Sequence, residues 1–221
     1  MRKLKKRIEF KIAVDGSSAS GKTTGGQLIA KKFKMKFLSS GTLYRFCAFK
    51  ILNNKNKYNV RIINKIAKSI TLNKLQNKNL YSPDVARLSS IIAQKPYVRK
   101  ALKGFQKNFI KKSKLVVVEG RDIGSKIMPN ADLKLFFTCS TKEKAKRRLK
   151  EFKNLNKKIS LKKVEKALIQ RDKEDTKRKI SPLIMTKNAV LVDTTKLTIK
   201  QMEAKLTNLV KNSIKKKYGN L

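Results

Sequence analysis

The sequence predicts an α/β fold in which a parallel sheet is covered by helices on both faces. Two observations predict it: short, wholly apolar, β-branched runs of strand length, and stretches of helical periodicity between them. The sequence shows no internal repeat and no Gly/Ser/Pro linker, so its 221 residues read as one domain.

Residues 8–14 read as the first strand, ending at Asp15-Gly16, and a helical stretch with Leu28, Ile29 and Phe33 follows. Phe37-Leu38 is a second, short strand. Residues 115–118, 133–137 and 189–192 complete a set of five. Ser140 with Glu143 reads as a capping box, opening a helix with Ala145, Leu149 and Phe152 at helical spacing. Thr198 with Gln201 is a second box, and Ile199, Met202, Leu206, Leu209 and Val210 then form one apolar face. Two stretches break the alternation. Residues 48–112 are polar, Asn-rich and mixed helical, and residues 150–181 are nearly all polar. Both are expected as surface lobes, the second as a lid, on a core of about 8–47, 113–149 and 182–214.

Composition excludes several chemistries. Histidine is absent, which removes His-based acid/base catalysis, His metal ligands and the usual pH switch. Cys47 and Cys139 lie far apart, without the spacing of a zinc site or a disulfide framework, as expected of a reducing cytoplasm. No apolar run approaches the roughly 18 residues of a membrane span, and residues 8–11 carry charges where a signal peptide needs apolar length. Lys and Arg number 57 against 14 acidic residues, a formal charge of +43. Nucleic acid is the obvious partner for such a charge. Lysine, however, is spread in singles, pairs and triplets, without a run of five or six, so a compositional Lys/Asn bias is the plainer reading. Only 11 of the 57 are Arg. In a chain that defaults to Lys, each Arg is a candidate for a place that needs the bidentate guanidinium fork.

Gly16, Ser17, Ser18, Ala19, Ser20, Gly21, Lys22 and Thr23 match G-x-x-x-x-G-K-[ST] between a strand and a helix, the context this phosphate loop requires. Its backbone N–H groups and the helix N-terminus suit an anion. Lys22, expected on a polar loop clear of the core, should reach β- and γ-phosphates, with Thr23 on Mg²⁺. Thr24 follows; Gly25-Gly26 early in the helix is a local weakness. Arg45, Arg121, the pair Arg147-Arg148, Arg171 and Arg178 supply guanidiniums from separate points. Arg171, Asp175 and Arg178, at i, i+4 and i+7, should share a helix face with the carboxylate between two cations. Glu119 closes the third core strand to be met, where an acid can orient Mg²⁺ through water.

These pieces, in order, resemble bacterial cytidylate kinases within the nucleoside monophosphate kinases. The resemblance runs from about 8 to 210. It is carried by residues 12–24, Ser40-Gly41-Thr42-Leu43-Tyr44-Arg45, residues 117–124, residues 129–134, residues 144–148, Arg171-Asp172 with Asp175 and Arg178, residues 181–183 and residues 193–195. It implies a three-layer P-loop NTPase fold with a five-stranded parallel sheet, an NMP-binding insertion at 48–112 and a lid at 150–181. It implies transfer from ATP, with Mg²⁺, to CMP and dCMP. Ser40, Arg45, Ser90, Arg99, Arg121, Asp122, Arg171, Asp175 and Arg178 match substrate-holding positions, with Asp122 as the base-reading carboxylate. Lys22, Arg121, Arg148, Arg171 and Arg178 are then catalytic, and Arg147 joins the phosphate loop in holding ATP. A cytoplasmic monomer without membrane or dedicated nucleic-acid partners is expected. The sequence departs from the family in Ser17 for Pro, Ala19 for Gly and Ser39 for Asp, and the segment between Tyr44 and Ser90 is shorter. Two other readings stand beside this one, a uridylate- or adenylate-type kinase and a basic nucleic-acid-binding P-loop ATPase.

Overall fold

A computed structural model describes residues 8–55, 57–153 and 159–219. The chain runs β1 (Phe10–Gly16), α1 (Lys22–Lys32), β2 (Lys36–Ser39), α2 (Ser40–Asn53) and α3 (Val60–Lys68). Two 3-10 turns, Asn73–Gln76 and Lys78–Tyr81, lead to α4 (Pro83–Ile92), α5 (Pro96–Lys111) and β3 (Leu115–Gly120). A π-turn (Ile123–Ile127), β4 (Leu133–Thr138), α6 (Thr141–Lys153), α7 (Leu161–Lys177), β5 (Val190–Asp193) and α8 (Ile199–Tyr218) follow.

All five strands are parallel, in the order β2-β3-β1-β4-β5. β1 is central: Ile12 faces Val117 on one side and Leu133 on the other. Every expected strand is present with shifted ends. β1 starts at Phe10, two residues late, and runs on through Asp15-Gly16, because these pair with Gly120 and Phe137. β3 likewise continues through Glu119, which therefore lies in the strand.

Strand side chains alternate between two apolar layers. Phe10, Ile12 and Val14 pack with Ile29 and Ala30 of α1 and with Met202, Leu206 and Val210 of α8. The Thr198–Gln201 capping box of α8 is fully formed, but Ile199 is 63% exposed and leaves the apolar face. The Ser140 box forms by half. The Ser140 hydroxyl accepts the Glu143 N–H at 3.4 Å, whereas the Ser140 N–H goes to Thr195 and the Glu143 carboxylate to Arg147. The glycine pair in α1 is explained by close approach: a Cβ on Gly25 would stand 2.6 Å from Phe137, and one on Gly26 2.8 Å from Phe37. Only glycine lets α1 lie this low on the sheet.

Ala13, Leu38 and Val118 face the other layer, with α2 and α3–α5. The expected start of the insertion, 48, falls inside α2, and Ile63, Leu80, Ile92 and Leu102 are fully buried in the same core as the sheet. The segment is thus a set of amphipathic helices rather than a polar lobe; its described Asn and Lys lie outward. In the second polar stretch α7 pairs with α6 through a small cluster of Ala145, Val164 and Leu168. Cys47 and Cys139 are buried and unpaired. Among the described residues no helix is long and apolar enough to cross a membrane.

Candidate active site

A cleft of about 710 Å³ opens where β1 and β3 end, bounded by α2, α4, α6 and α7. The phosphate loop forms its floor. Gly16 (φ 153°) and Gly21 (φ 83°) occupy backbone conformations that favour glycine, and a Cβ on Gly16 would stand 2.3 Å from the Phe137 carbonyl oxygen. Ala19 also has positive φ, 55°, a conformation a methyl-bearing residue holds at a cost of about 1–2 kcal/mol. Its methyl packs against the α6–α7 cluster, which accounts for alanine here. Gly16, Ser17 and Ser20 shape the loop from behind rather than line the cleft. The Ser17 carbonyl accepts from Ser20 Oγ at 2.9 Å, and Thr194 Oγ1 donates to the Ser20 carbonyl at 2.9 Å.

Lys22 is not a solvent-facing loop residue. It is the first residue of α1, 7% exposed, with Nζ donating to the Ser17 carbonyl at 3.2 Å and lying 3.9 Å from Glu119 Oε2. Burial first, then the charge of Arg121, pulls its ammonium down to about 7. Thr23 Oγ1 donates to Glu119 Oε1 at 3.2 Å, and the Ser39 hydroxyl donates to the same oxygen. Glu119 Oε2 is buried without a hydrogen-bond partner. Thr24 lies at the exposed rim.

Arg121 is the hub of the cleft. Its Nε donates to Asp175 at 2.7 Å, its Nη2 to Ser18 Oγ at 2.9 Å and its Nη1 to the Gly120 carbonyl at 3.3 Å. Burial works to raise the Asp175 carboxyl, but Arg121 and Arg171 overcome it and hold the group below its usual range. The expected Arg171–Asp175–Arg178 stripe needs correction. Arg178 sits beyond the end of α7 with extended backbone (φ −63°, ψ 138°), so Asp175 bridges Arg121 and Arg178, the latter at 3.3 Å. Helix spacing cannot carry past a helix end. Arg171 faces the same cleft with a buried Nε that has no hydrogen-bond partner among the described residues, and Arg178 Nη2 is likewise orphaned. Burial and neighbouring Arg121 both press against the Arg171 charge. Such guanidinium N–H groups call for an anion.

Arg148 pairs with Glu151 at 2.5 Å. Arg147 donates to the Thr194 hydroxyl and carbonyl at 2.9 and 2.8 Å, and would stand 3.5 Å from a Cβ on Gly21. Across the cleft, Arg45 is buried, donates to the Leu80 carbonyl at 2.9 Å and lies 5.1 Å from the Tyr81 ring centre. Ser40 turns its hydroxyl to Gln106 at 3.2 Å, while Ser90 lines the wall. Asp122 pairs with Arg99, which also lies 5.7 Å from the Tyr44 ring centre. Its partner is therefore Arg99, not its neighbour in sequence.

Sequence reasoning missed several residues. Asp15 accepts the Ile123 and Gly124 N–H groups at 2.8 and 2.6 Å, pinning the turn behind Arg121-Asp122, and burial pushes its carboxyl up to about 6. Asp172 and Lys144 were visible only as members of matching segments, and Tyr81 carried no signal. Ser39 was visible as a departure.

A phosphate loop at the mouth of a parallel sheet, with arginines converging from five elements, defines a phosphotransferase of the P-loop class. The profile of the family described as cytidylate kinase matches residues 12–212, and the chain belongs to that family. It is 37% identical over 206 residues to the cytidylate kinase of Rickettsia felis and 35% identical to that of Rickettsia prowazekii, covering 93% of each chain. Among solved structures, an uncharacterized protein from Eubacterium ventriosum superposes with a TM-score of 0.55 at 11% identity, over 92% of this chain and 99% of that one. TT1252 from Thermus thermophilus gives 0.50 at 16% identity, over 93% and 98%. These two share the fold.

Proposed function

We propose that the protein transfers the γ-phosphoryl group of ATP to CMP and dCMP, yielding CDP and dCDP. The observation that carries this reading is one cleft holding Lys22 of the phosphate loop together with the orphaned guanidinium groups of Arg171 and Arg178. Two anions must be brought together there, and cations from several sides offset their repulsion. Lys22 holds the β/γ end of the donor. Arg147 and Arg148 flank it from α6. Arg45, Arg121, Arg171 and Arg178 surround the acceptor phosphate, and Asp175 holds Arg121 and Arg178 in place. The acceptor oxygen is already anionic at neutral pH, so no histidine or other general base is required. Mg²⁺ fits the residues present: Glu119 has a buried oxygen without a hydrogen-bond partner among the described residues, beside the Thr23 hydroxyl. When bound there through Thr23 and, by way of water, Glu119, the ion neutralises phosphate charge.

A panel of CMP, dCMP, UMP and AMP with ATP at physiological salt tests the reading. CMP and dCMP are expected as the best acceptors. Preference for UMP or AMP would move the enzyme to the neighbouring specificity, and ATP hydrolysis stimulated by RNA without acceptor turnover would replace it with the nucleic-acid reading.

Asp122 reads the base. One oxygen is held by Arg99, leaving the other for the exocyclic amino group of cytosine. Uracil would present a carbonyl oxygen to that carboxylate, a mismatch worth about 1–3 kcal/mol. Asp122→Asn is expected to lower kcat/KM for CMP and narrow the CMP/UMP ratio by tenfold or more. Equal losses for both substrates would assign Asp122 to bracing Arg99 instead.

A further inference from the structure

Asp172 does not line the cleft, yet it touches the phosphate loop. Its Oδ1 accepts the Ser18 N–H at 3.2 Å, and its Oδ2 takes the buried Lys144 ammonium of α6 at 2.5 Å. Ser18 faces both ways, because its hydroxyl accepts from Arg121 Nη2 at 2.9 Å. Arg121 in turn reaches Asp175, one turn of α7 from Asp172. The contacts close a ring: Ser18, Asp172, a turn of helix, Asp175, Arg121 and back to Ser18. Ala19, the next residue of the loop, places its methyl in the Ala145–Val164–Leu168 cluster. A polar ring and an apolar plug thus fix the α6–α7 pair to two consecutive residues of the loop that holds the donor phosphates.

We propose that Asp172 is a positioning residue that couples the two substrate sites: it docks α7, and with it Arg171 and Asp175, on the phosphate loop, so that a filled loop raises affinity for the monophosphate. The proposal rests on the functional reading above. The physical requirement for coupling is an element whose position both ligands bias. α7 meets it, with Asp172 facing the loop and Arg171 and Asp175 facing the acceptor side. Lys144 serves the docking by holding the Asp172 carboxylate in place. A buried ammonium beside a half-buried carboxylate is costly to separate, which makes the docked arrangement specific.

Calorimetric titration of the full chain with CMP, alone and with the β,γ-imido analogue of ATP, tests this. The wild type is expected to bind CMP at least fivefold tighter with the analogue present. Asp172→Asn should bring that factor close to one while leaving CMP affinity of the loop-empty protein within about twofold. Because Asp172→Asn leaves the buried Lys144 charge without a partner and can fail to fold, Ala19→Gly serves as second variant. It removes the plug and also relieves the positive-φ strain at this position, so affinity for the analogue alone is measured beside it; the factor is expected to fall by half or more. Equal tightening in wild type and both variants overturns the proposal, as does an equal loss of CMP affinity with and without the analogue. If UMP rather than CMP is the acceptor, the reading of substrate fails, and the same titration with UMP still decides the coupling.

Discussion

Lys22→Met is expected to slow phosphoryl transfer by about 10²–10³-fold, the size of a lost preorganised charge, while the fold persists. The methionine occupies the buried space of the lysine stem, and the nucleotide-free cleft loses one of several crowded cations. A second readout follows from the ammonium being pulled down to about 7 in the folded protein, against about 10.4 for an unperturbed lysine. Between those pH values the unfolded chain binds more protons than the folded one, so this group makes stability rise with pH across that window. Bound phosphates restore the charged form. ATP binding at pH 8 is therefore expected to take up close to one proton, read as a dependence of the binding enthalpy on buffer ionisation heat. The uptake should shrink at pH 6 and vanish in Lys22→Met. Uptake that survives in the variant would assign the proton elsewhere.

Arg121→Ala is expected to be the most damaging change outside the phosphate loop, with kcat down by about 10²-fold or more and stability down by about 3 kcal/mol. Its removal leaves the buried Asp175 carboxylate with Arg178 as its remaining ion-pair partner and strips the Ser18 hydroxyl of its donor. Arg121→Lys keeps the charge but not three directed N–H groups, so it should recover stability more than rate. Steady-state kinetics and thermal melting of both variants separate the two losses. Full activity in the lysine variant would reduce Arg121 to a point charge.

The sheet and phosphate loop were legible because both obey short-range rules. Apolar runs mark buried strands, and one eight-residue pattern fixes the loop. Pairing across the sheet decided the strand ends, which is why Glu119 proved to lie inside β3. Legibility fell where partners are distant in sequence. Asp175 sits four residues from Arg171, yet its oxygen meets Arg121, 54 residues away. Asp122 follows Arg121 but pairs with Arg99. The glycines of α1 look like helix weaknesses until Phe137 and Phe37 lie beneath them. The segment 57–112 reads as polar because Asn and Lys fill its outer faces and outnumber the buried apolar residues, such as Ile63, Leu80 and Leu102, that join the core under the sheet.

The apolar layers also divide the cleft into walls of unequal stiffness. The α2–α5 wall shares its core with Leu38, Val116 and Val118, so it cannot swing without opening the sheet face. Among the described residues the α6–α7 wall is held together by a small cluster, Ala145, Val164 and Leu168 with the partly buried Leu149 and Phe152, and touches the body through Ala19 and polar contacts. Amide hydrogen exchange is expected to be faster in α6–α7 than in α2 and α5, and the reverse order would contradict this division. We expect any closure of such a cleft to be one-sided: the acceptor meets the stiffer wall, and the wall free to shift is the one that carries Arg147, Arg148 and Arg171.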